Sequence, residues 1–123
     1  MGATSPGEVI QVFVKYFNSS DLEGLLTLYE DQAVIANGRD ALTGTAAVTE
    51  FLQGFLDTKG TLAIESSVVF SGQELALTHN RWRLDIPGTD PMMGTTAEVV
   101  RRQTDGTWKY ILDNPFGGAA LDA

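Results

Sequence analysis

The chain has 123 residues, 43% of them hydrophobic and 20% charged, which is the composition of one globular domain and excludes an intrinsically disordered chain. Sixteen acidic residues against eight basic ones give a formal net charge of −8, which argues against nucleic acid or an anionic membrane as a partner. The absence of cysteine excludes disulfides, and with a single histidine and no glycine-rich phosphate loop we expect neither a metal site nor a cofactor.

Nothing ahead of the first predicted helix resembles a signal peptide, because that helix already carries Glu8 and Lys15. The apolar runs elsewhere are far shorter than the ~20 residues needed to cross a bilayer. We therefore expect a soluble, cytoplasmic protein with no membrane partner.

Helix signals dominate the first half of the chain. Residues 5–8 (SPGE) match a capping box with proline at the first helical position. The apolar residues that follow have the spacing of one buried helical face: Val9, Val12, Phe13, Tyr16 and Phe17. A second capping box at residues 20–23 and a second apolar stripe through Tyr29 predict another helix. A third helix is predicted over residues 45–59, after a short strand at 33–36.

The second half changes to the alternation of β-strands. Strands are predicted at residues 62–70, 75–86, 95–103 and 108–112, with a proline-containing loop at 87–91 and a tight hairpin at Asp105-Gly106. Helices segregated from a strand meander predict an α+β fold in one domain over residues 1–123. We expect a curved antiparallel sheet wrapped around three N-terminal helices, cone-shaped with an apolar pocket. The core would span about residues 6–117, and residues 118–123 would form a mobile tail.

Four segments of the chain resemble the nuclear transport factor 2-like superfamily, in its SnoaL-like and ketosteroid-isomerase-like branch. They are residues 16–29 (YFNSSDLEGLLTLY), 42–52 (LTGTAAVTEFL), the 75–84 strand with Trp82, and 99–117 (VVRRQTDGTWKYILDNPFG). The resemblance implies a cone with a deep apolar pocket and a tendency to dimerise. It leaves the chemistry open, because this fold hosts isomerases, hydratases, hydrolases, cyclases and binding modules.

The resemblance does not support ketosteroid isomerase activity itself. The position of that family's oxyanion-hole tyrosine is Phe13, and the position of its proton-shuttling aspartate is Asn37. The second oxyanion-hole acid is retained in kind as Glu98. Limonene epoxide hydrolase is matched only partly, through Asp113 and an arginine at position 81 or 83.

Strand alternation identifies the candidate catalytic residues Glu98, Asp113, Arg81 and His79. Arg81 and His79 share the odd-numbered face of their strand, which we place toward the pocket by analogy with the isomerases. In the alternative, the opposite face with Trp82 forms the pocket wall and His79 is solvated. The hairpin register at Asp105-Gly106 places Glu98 across from Asp113 on the neighbouring strand, within about one residue. In the structural alternatives, Glu98 pairs with an arginine of a neighbouring strand and Asp113 caps a local turn.

Apolar and aromatic side chains are expected to supply the ligand-binding walls of this pocket. The candidates are Phe13, Tyr16, Phe17, Tyr29, Phe51, Phe55, Trp82, Val100 and Ile111. The expected function is binding or conversion of a hydrophobic small molecule by cofactor-free acid–base chemistry of the isomerase, cyclase or hydratase type. The alternative is a non-catalytic binding or interaction module. Apolar residues on both faces of the strands predict a homodimer through the sheet.

Overall fold

The first two helices pack as a hairpin in the computed structural model, which describes residues 2–122. Helix α1 spans Glu8–Asn18 and α2 spans Leu22–Leu26. The Asp21 side chain caps α2 by accepting a hydrogen bond from the Gly24 backbone N–H at 2.8 Å. A Cβ at Gly24 would lie 2.5 Å from the Tyr16 ring, so the close approach of the two helices depends on this glycine.

Two details of the helical segment differ from the prediction. Gly7, with no side-chain cap, precedes α1, and the Glu8 carboxylate instead accepts hydrogen bonds from the Thr4 N–H at 2.9 Å and the Thr4 hydroxyl at 2.5 Å. Helix α2 ends after one turn, where the Thr27 hydroxyl donates to the Gly24 carbonyl at 2.6 Å. Tyr29 therefore begins a strand rather than extending a helix.

The rest of the described chain forms one further helix, a set of strands and a short 3-10 helix. The elements are β1 (Tyr29–Asn37), β2 (Asp40–Thr43), α3 (Thr45–Leu56), β3 (Thr61–Ser71), β4 (Leu75–Asp85), β5 (Met92–Thr95), β6 (Ala97–Arg102), β7 (Trp108–Asn114) and the 3-10 helix Gly117–Asp122. The predicted strand at 95–103 is divided at Thr96, whose N–H donates to the Asn80 carbonyl at 2.8 Å.

The strands of residues 2–122 form one sheet in the order β2-β1-β7-β6-β4-β3, with β5 beside β4. Neighbouring strands are antiparallel except β1 and β7, which run parallel and bring the first and last strands together in the middle of the sheet. The sheet curves around the helices without closing, so the expected α+β cone is confirmed. Its concave face carries the buried side chains of β4, namely Ala76, Thr78, Asn80, Trp82 and Leu84.

The two ends of the described chain contact the sheet. Ala3 is fully buried and forms a β-bridge with Trp108. At the other end, the Arg39 guanidinium donates a hydrogen bond to the Leu121 carbonyl at 3.1 Å. The mobility of residues 118–123 stays a prediction, and residue 123 lies outside the described part. No helix within residues 2–122 combines the length and apolar character needed to span a bilayer.

Candidate active site

A β-bulge on β7 determines which side chains enter the concave side of the sheet. Val99 pairs with Leu112 and Val100 pairs with Tyr110, so Ile111 is the extra residue. The bulge interrupts the alternation, and Tyr110 and Asp113 both point inward although they are three residues apart. On β6, Glu98 lies directly opposite Asp113. The predicted pairing of these two acids is confirmed.

The two acids lie at one end of a small cavity between the helices and the sheet, which we call the aromatic cavity. Its volume is about 70 Å³, roughly half that of the ~150 Å³ dry cavities known to admit benzene. The walls come from α1, α3 and the sheet: Ile10, Phe13, Phe17, Tyr29, Phe51, Leu52, Phe55, Leu62, Ile64, Trp82, Leu84, Thr96, Glu98, Tyr110, Asp113 and Pro115. Apart from the two acids, none of these lining side chains carries a charge.

Glu98 is held by two neutral side chains of β4. Its Oε1 accepts hydrogen bonds from the Thr78 hydroxyl at 2.9 Å and from the Asn80 amide at 2.7 Å. Glu98 is only 3% exposed. Burial raises the pKa of Glu98 well above its usual range, and the neighbouring Asp113 carboxylate raises it further. The group therefore holds its proton to a higher pH than an ordinary glutamate.

Asp113 receives its hydrogen bond from the neighbouring strand β1. The Tyr29 hydroxyl donates to its Oδ2 at 2.6 Å, while Oδ1 is buried and accepts no hydrogen bond from a described donor. Burial raises the pKa of Asp113, whereas the hydrogen bond from Tyr29 and the neighbouring Glu98 side chain lower it again. The pKa values of both carboxyls are thus raised, and the negative charge of Asp113 opposes ionisation of Glu98.

The Tyr110 hydroxyl is the other buried polar atom without a hydrogen-bond partner among the described residues. The Tyr110 ring lies edge-on to Phe13, with ring centroids 6.3 Å apart, and it lines the aromatic cavity. Burial raises the pKa of both Tyr110 and Tyr29 well above the usual range, so both phenols stay protonated. Tyr110 is therefore a neutral donor facing the cavity beside the acid pair.

The orientation predicted for Arg81 and His79 is wrong. The inward face of β4 is the even-numbered one, because Trp82 and Leu84 are buried there, and Arg81 is exposed on the opposite face. His79 is half-buried on that outer face, with its Nδ1 3.0 Å from the Thr96 carbonyl oxygen. The two residues are outside the acid pair's cavity.

The structural alternatives for the two acids are also excluded. Neither Arg81 nor Arg83 reaches Glu98, and Arg83 pairs instead with Asp85 at 2.8 Å on the surface. Asp113 does not cap its own turn, since its hydrogen bond comes from Tyr29 on the neighbouring strand β1.

Six of the nine predicted wall residues line the aromatic cavity: Phe13, Phe17, Tyr29, Phe51, Phe55 and Trp82. The other three lie elsewhere. Tyr16 packs on Gly24, Val100 is fully buried in the core, and Ile111 is the bulge residue. Whether the six bind a ligand stays a prediction.

Sequence reasoning missed Tyr110, Thr78 and Asn80. Thr78 and Asn80 lie on the same face of β4 as Trp82. The sequence analysis gave that face as the alternative wall of the pocket. Tyr110 had no such signal, because alternation from Asp113 places it on the opposite face. Among residues 2–122 no three His, Asp or Glu side chains are grouped as metal ligands.

Residues 10–111, most of the described helices and strands, match the family model of the SnoaL-like domain. The chain belongs to the SnoaL-like domain family. A comparison with curated proteins gives no match. The SnoaL-like assignment agrees with the superfamily that the sequence resembles.

Solved structures share the SnoaL-like fold of this chain at low sequence identity. A candidate calcium/calmodulin-dependent protein kinase type II association domain from Thiobacillus denitrificans is 18% identical, with a TM-score of 0.76 over 94% of this chain and 98% of that one. A candidate ketosteroid isomerase from Shewanella frigidimarina is 12% identical, with a TM-score of 0.77 over 88% and 91%. A candidate scytalone dehydratase from Novosphingobium aromaticivorans is 15% identical, with a TM-score of 0.70 over 85% and 76%. At these identities the likeness establishes the fold alone.

Proposed function

We propose that this protein is an enzyme that moves a proton at a carbon next to a carbonyl group in a small, apolar ligand. The observation that carries the proposal is the pair of buried carboxyls, Glu98 and Asp113, beside the unpartnered Tyr110 hydroxyl in an aromatic cavity. Such a set supplies a base, an acid and a neutral hydrogen-bond donor within one desolvated space.

The roles follow from the hydrogen bonds. We assign Asp113 as the base, because its Oδ1 has no described donor and the Tyr29 hydrogen bond stabilises its ionised form. Glu98 holds its proton and donates to the carbonyl oxygen as negative charge develops there. Tyr110 donates to the same oxygen, which is the task that Phe13 cannot perform because it lacks a hydroxyl.

The reaction is a proton transfer with no net change in the enzyme. Asp113 takes a proton from the carbon next to the carbonyl, and the electron pair of the broken C–H bond forms the enol double bond. In a conjugated enol, return of the proton from Asp113 to a different carbon and of the oxygen's proton to Glu98 gives an isomer. Where the next carbon carries a hydroxyl, that hydroxyl leaves as water with the proton from Asp113, the oxygen's proton returns to Glu98, and a dehydrated product forms. That this chemistry needs no cofactor stays a prediction.

Exchange of carbon-bound hydrogen for solvent deuterium tests the proposal without knowledge of the natural substrate. The probe is 2-butanone, a ketone of five non-hydrogen atoms, and the loss of its C–H signals in D2O is followed by proton NMR. We expect exchange above the buffer rate in the native protein. Glu98→Gln and Asp113→Asn should each lower the accelerated rate by about 10²-fold or more.

Glu74→Gln is the matched control, because Glu74 is an exposed acid that pairs with Arg102 at 2.7 Å far from the cavity. This variant should exchange at the native rate. Equal loss in all three variants, or no exchange above buffer in the native protein, would contradict the catalytic proposal.

Binding without turnover is the second candidate function. One observation favours it: Glu98 and Asp113 already receive hydrogen bonds from Thr78, Asn80 and Tyr29, as in a structural acid pair. In this case 2-butanone would shift amide resonances of cavity residues in a 15N-labelled sample while its hydrogens exchange at the buffer rate.

A further inference from the structure

A second and larger space reaches the acid pair from the other side. This α1–β3 cleft has a volume of about 670 Å³ and lies between the start of α1 and the strand β3. Its walls are Ser5, Pro6, Gly7, Glu8, Val9, Ile10, Gln11, Val14, Ile64, Ser67, Val69, Thr78, Asn80, Glu98 and Tyr110. The last two residues also line the aromatic cavity, so the two spaces meet at the acid and the unpartnered hydroxyl.

The lining of the cleft differs in chemistry from that of the aromatic cavity. Hydroxyl and amide side chains from three elements face it: Ser5, Gln11, Ser67, Thr78 and Asn80. Among the described lining residues none is a lysine, arginine or histidine. Hydrogen bonds fix the floor, where the Ser67 hydroxyl donates to Asn80 Oδ1 at 2.6 Å and the Asn80 amide donates to Glu98. The wall thus presents neutral hydrogen-bonding groups in a fixed arrangement.

The charge at the rim of the cleft further limits the kinds of ligand that it can bind. The Glu8 carboxylate lies at the cleft, and hydrogen bonds from Thr4 lower the pKa of Glu8, so it is ionised at neutral pH. With no cation in the lining, an anionic group would meet an uncompensated carboxylate. A neutral group rich in hydroxyls or amides meets partners on both walls.

We propose that the α1–β3 cleft is the subsite for an uncharged, hydrogen-bonding part of the ligand, joined to a small apolar part that enters the aromatic cavity. The reacting group then lies where the two spaces meet, at Glu98 and Tyr110. This inference relies on the proposed function only for the identity and position of the reacting group. It also explains how a cavity of about 70 Å³ serves a ligand larger than a few carbon atoms.

Binding of matched probes tests the cleft. The probes are 1-butanol, n-butyl β-D-glucoside and n-butyl phosphate, which share the apolar chain and differ in the neutral or anionic head. Affinities are measured by titrating 15N-labelled protein and following amide resonances of α1 and α3. Because two or three new hydrogen bonds form, we expect the glucoside to bind about tenfold more tightly than 1-butanol. The phosphate should bind no better than 1-butanol.

Gly7→Trp supplies a way to close the cleft. Gly7 has φ −70°, which any residue adopts, and a Cβ there would lie 3.7 Å from Val69 across the cleft. Gly7→Trp should abolish the higher affinity for the glucoside and leave the affinity for 1-butanol unchanged. Gly54→Trp is the matched control, because a Cβ at Gly54 has no atom within 4 Å. Gln11→Trp, at an exposed lining position, is a second blocking variant should Gly7→Trp fold poorly.

The outcomes separate the cleft from the chemistry. Three outcomes would overturn the cleft proposal even if 2-butanone exchanges deuterium. They are equal affinity for the glucoside and 1-butanol, tighter binding of the phosphate than of 1-butanol, and a higher affinity for the glucoside that persists in both blocking variants. If the blocking variants lose the higher affinity for the glucoside, the cleft proposal is supported even when 2-butanone does not exchange deuterium. In that case only the catalytic proposal fails.

Discussion

Glu98 and Asp113 occupy directly opposite positions on β6 and β7, and each is less than a tenth exposed. Two carboxyls in this arrangement do not ionise together near neutral pH, because each is desolvated and each repels the other's charge. The raised pKa values of the two groups also make the stability of the fold sensitive to pH.

Stability should decrease as the pH rises above the usual carboxyl pKa values of about 4. Both acids have raised pKa values in the folded state, so the folded chain holds more protons than the unfolded chain above the usual carboxyl pKa. Each unit of increase in the pKa corresponds to about 1.4 kcal/mol of stability lost once the pH has passed the folded pKa. Urea denaturation of Glu98→Gln should give a flatter pH dependence than the native protein, and an identical slope would contradict the prediction.

Tyr29→Phe and Tyr110→Phe form a matched pair with opposite expectations. The first removes the hydrogen bond to Asp113 at 2.6 Å and should cost about 1–3 kcal/mol because a buried acceptor loses its donor. The second removes a hydroxyl that has no partner among the described residues, and it should leave stability unchanged or slightly increased. Thermal and urea unfolding of both variants provide the measurement. Equal losses would mean that Tyr110 has a hydrogen bond of its own.

Tyr29→Phe should also raise the pKa of Asp113, because the hydrogen bond from Tyr29 lowers it in the native protein. Titration of 13C-labelled carboxyl groups by NMR measures this shift directly. Asp105 is the internal control, since the Thr107 hydrogen bonds that lower its pKa lie far from Tyr29. A change at Asp105 of the same size would show a global effect rather than loss of one contact.

Truncation of two neighbouring α3 residues that both line the aromatic cavity should distinguish a buried wall residue from a half-buried one. Leu52 is 3% exposed, and Leu52→Ala should cost about 2–5 kcal/mol. Phe51 is only half-buried at the cavity, with its ring 5.2 Å from the Phe55 ring, so Phe51→Ala should cost less than the 3–5 kcal/mol typical of a buried phenylalanine. The same variant enlarges the cavity and should admit larger ketones in the exchange assay. A greater loss for Phe51→Ala than for Leu52→Ala would contradict this division.

The outer face of the sheet carries a row of apolar side chains that we expect to form a homodimer interface. Cross-strand pairs connect Phe70 to Leu77, Leu77 to Val99, and Val99 to Leu112, and three of these side chains are 40–60% exposed. Light scattering should report a dimer at micromolar concentration for the native protein and a monomer for Leu77→Lys. Leu121→Lys, at a 79% exposed position away from the row, should remain dimeric. A monomeric native protein would overturn this expectation.

Sequence patterns were sufficient for the three helices, for the strands β1, β3, β4, β6 and β7, and for the meeting of the two acids, but β2 and β5 were not predicted. The Asp105-Gly106 turn set the register of the last hairpin, and Gly106 has the positive φ of 85° that such a turn requires. The face of β4 was ambiguous because leucines occur on both sides of that strand, at Leu77 and Leu84. The inward face of β4 is identified only by the contact of Trp82 with Phe116 and by the position of Trp82 in the cavity wall.

The bulge at Ile111 could not be predicted, because the surrounding sequence has neither the glycine nor the proline that commonly marks a bulge. Without it, Tyr110 would face outward and the acid pair would lack its neutral donor. The small volume of the aromatic cavity could not be predicted either, because it depends on how much of the cone the phenylalanine rings of α1 and α3 fill.

The bond between Tyr29 and Asp113 joins positions 84 residues apart, through a parallel pairing of the first and last strands. During synthesis on the ribosome, helices α1 to α3 and the hairpin of β3 and β4 are available long before β7 emerges. The carboxyl pair is therefore assembled in one of the last events of folding, when loop closure over most of the chain has already been achieved. Until that moment a nascent chain exposes the edge of β1 that later pairs with β7, whereas the other edge of β1 can pair with β2.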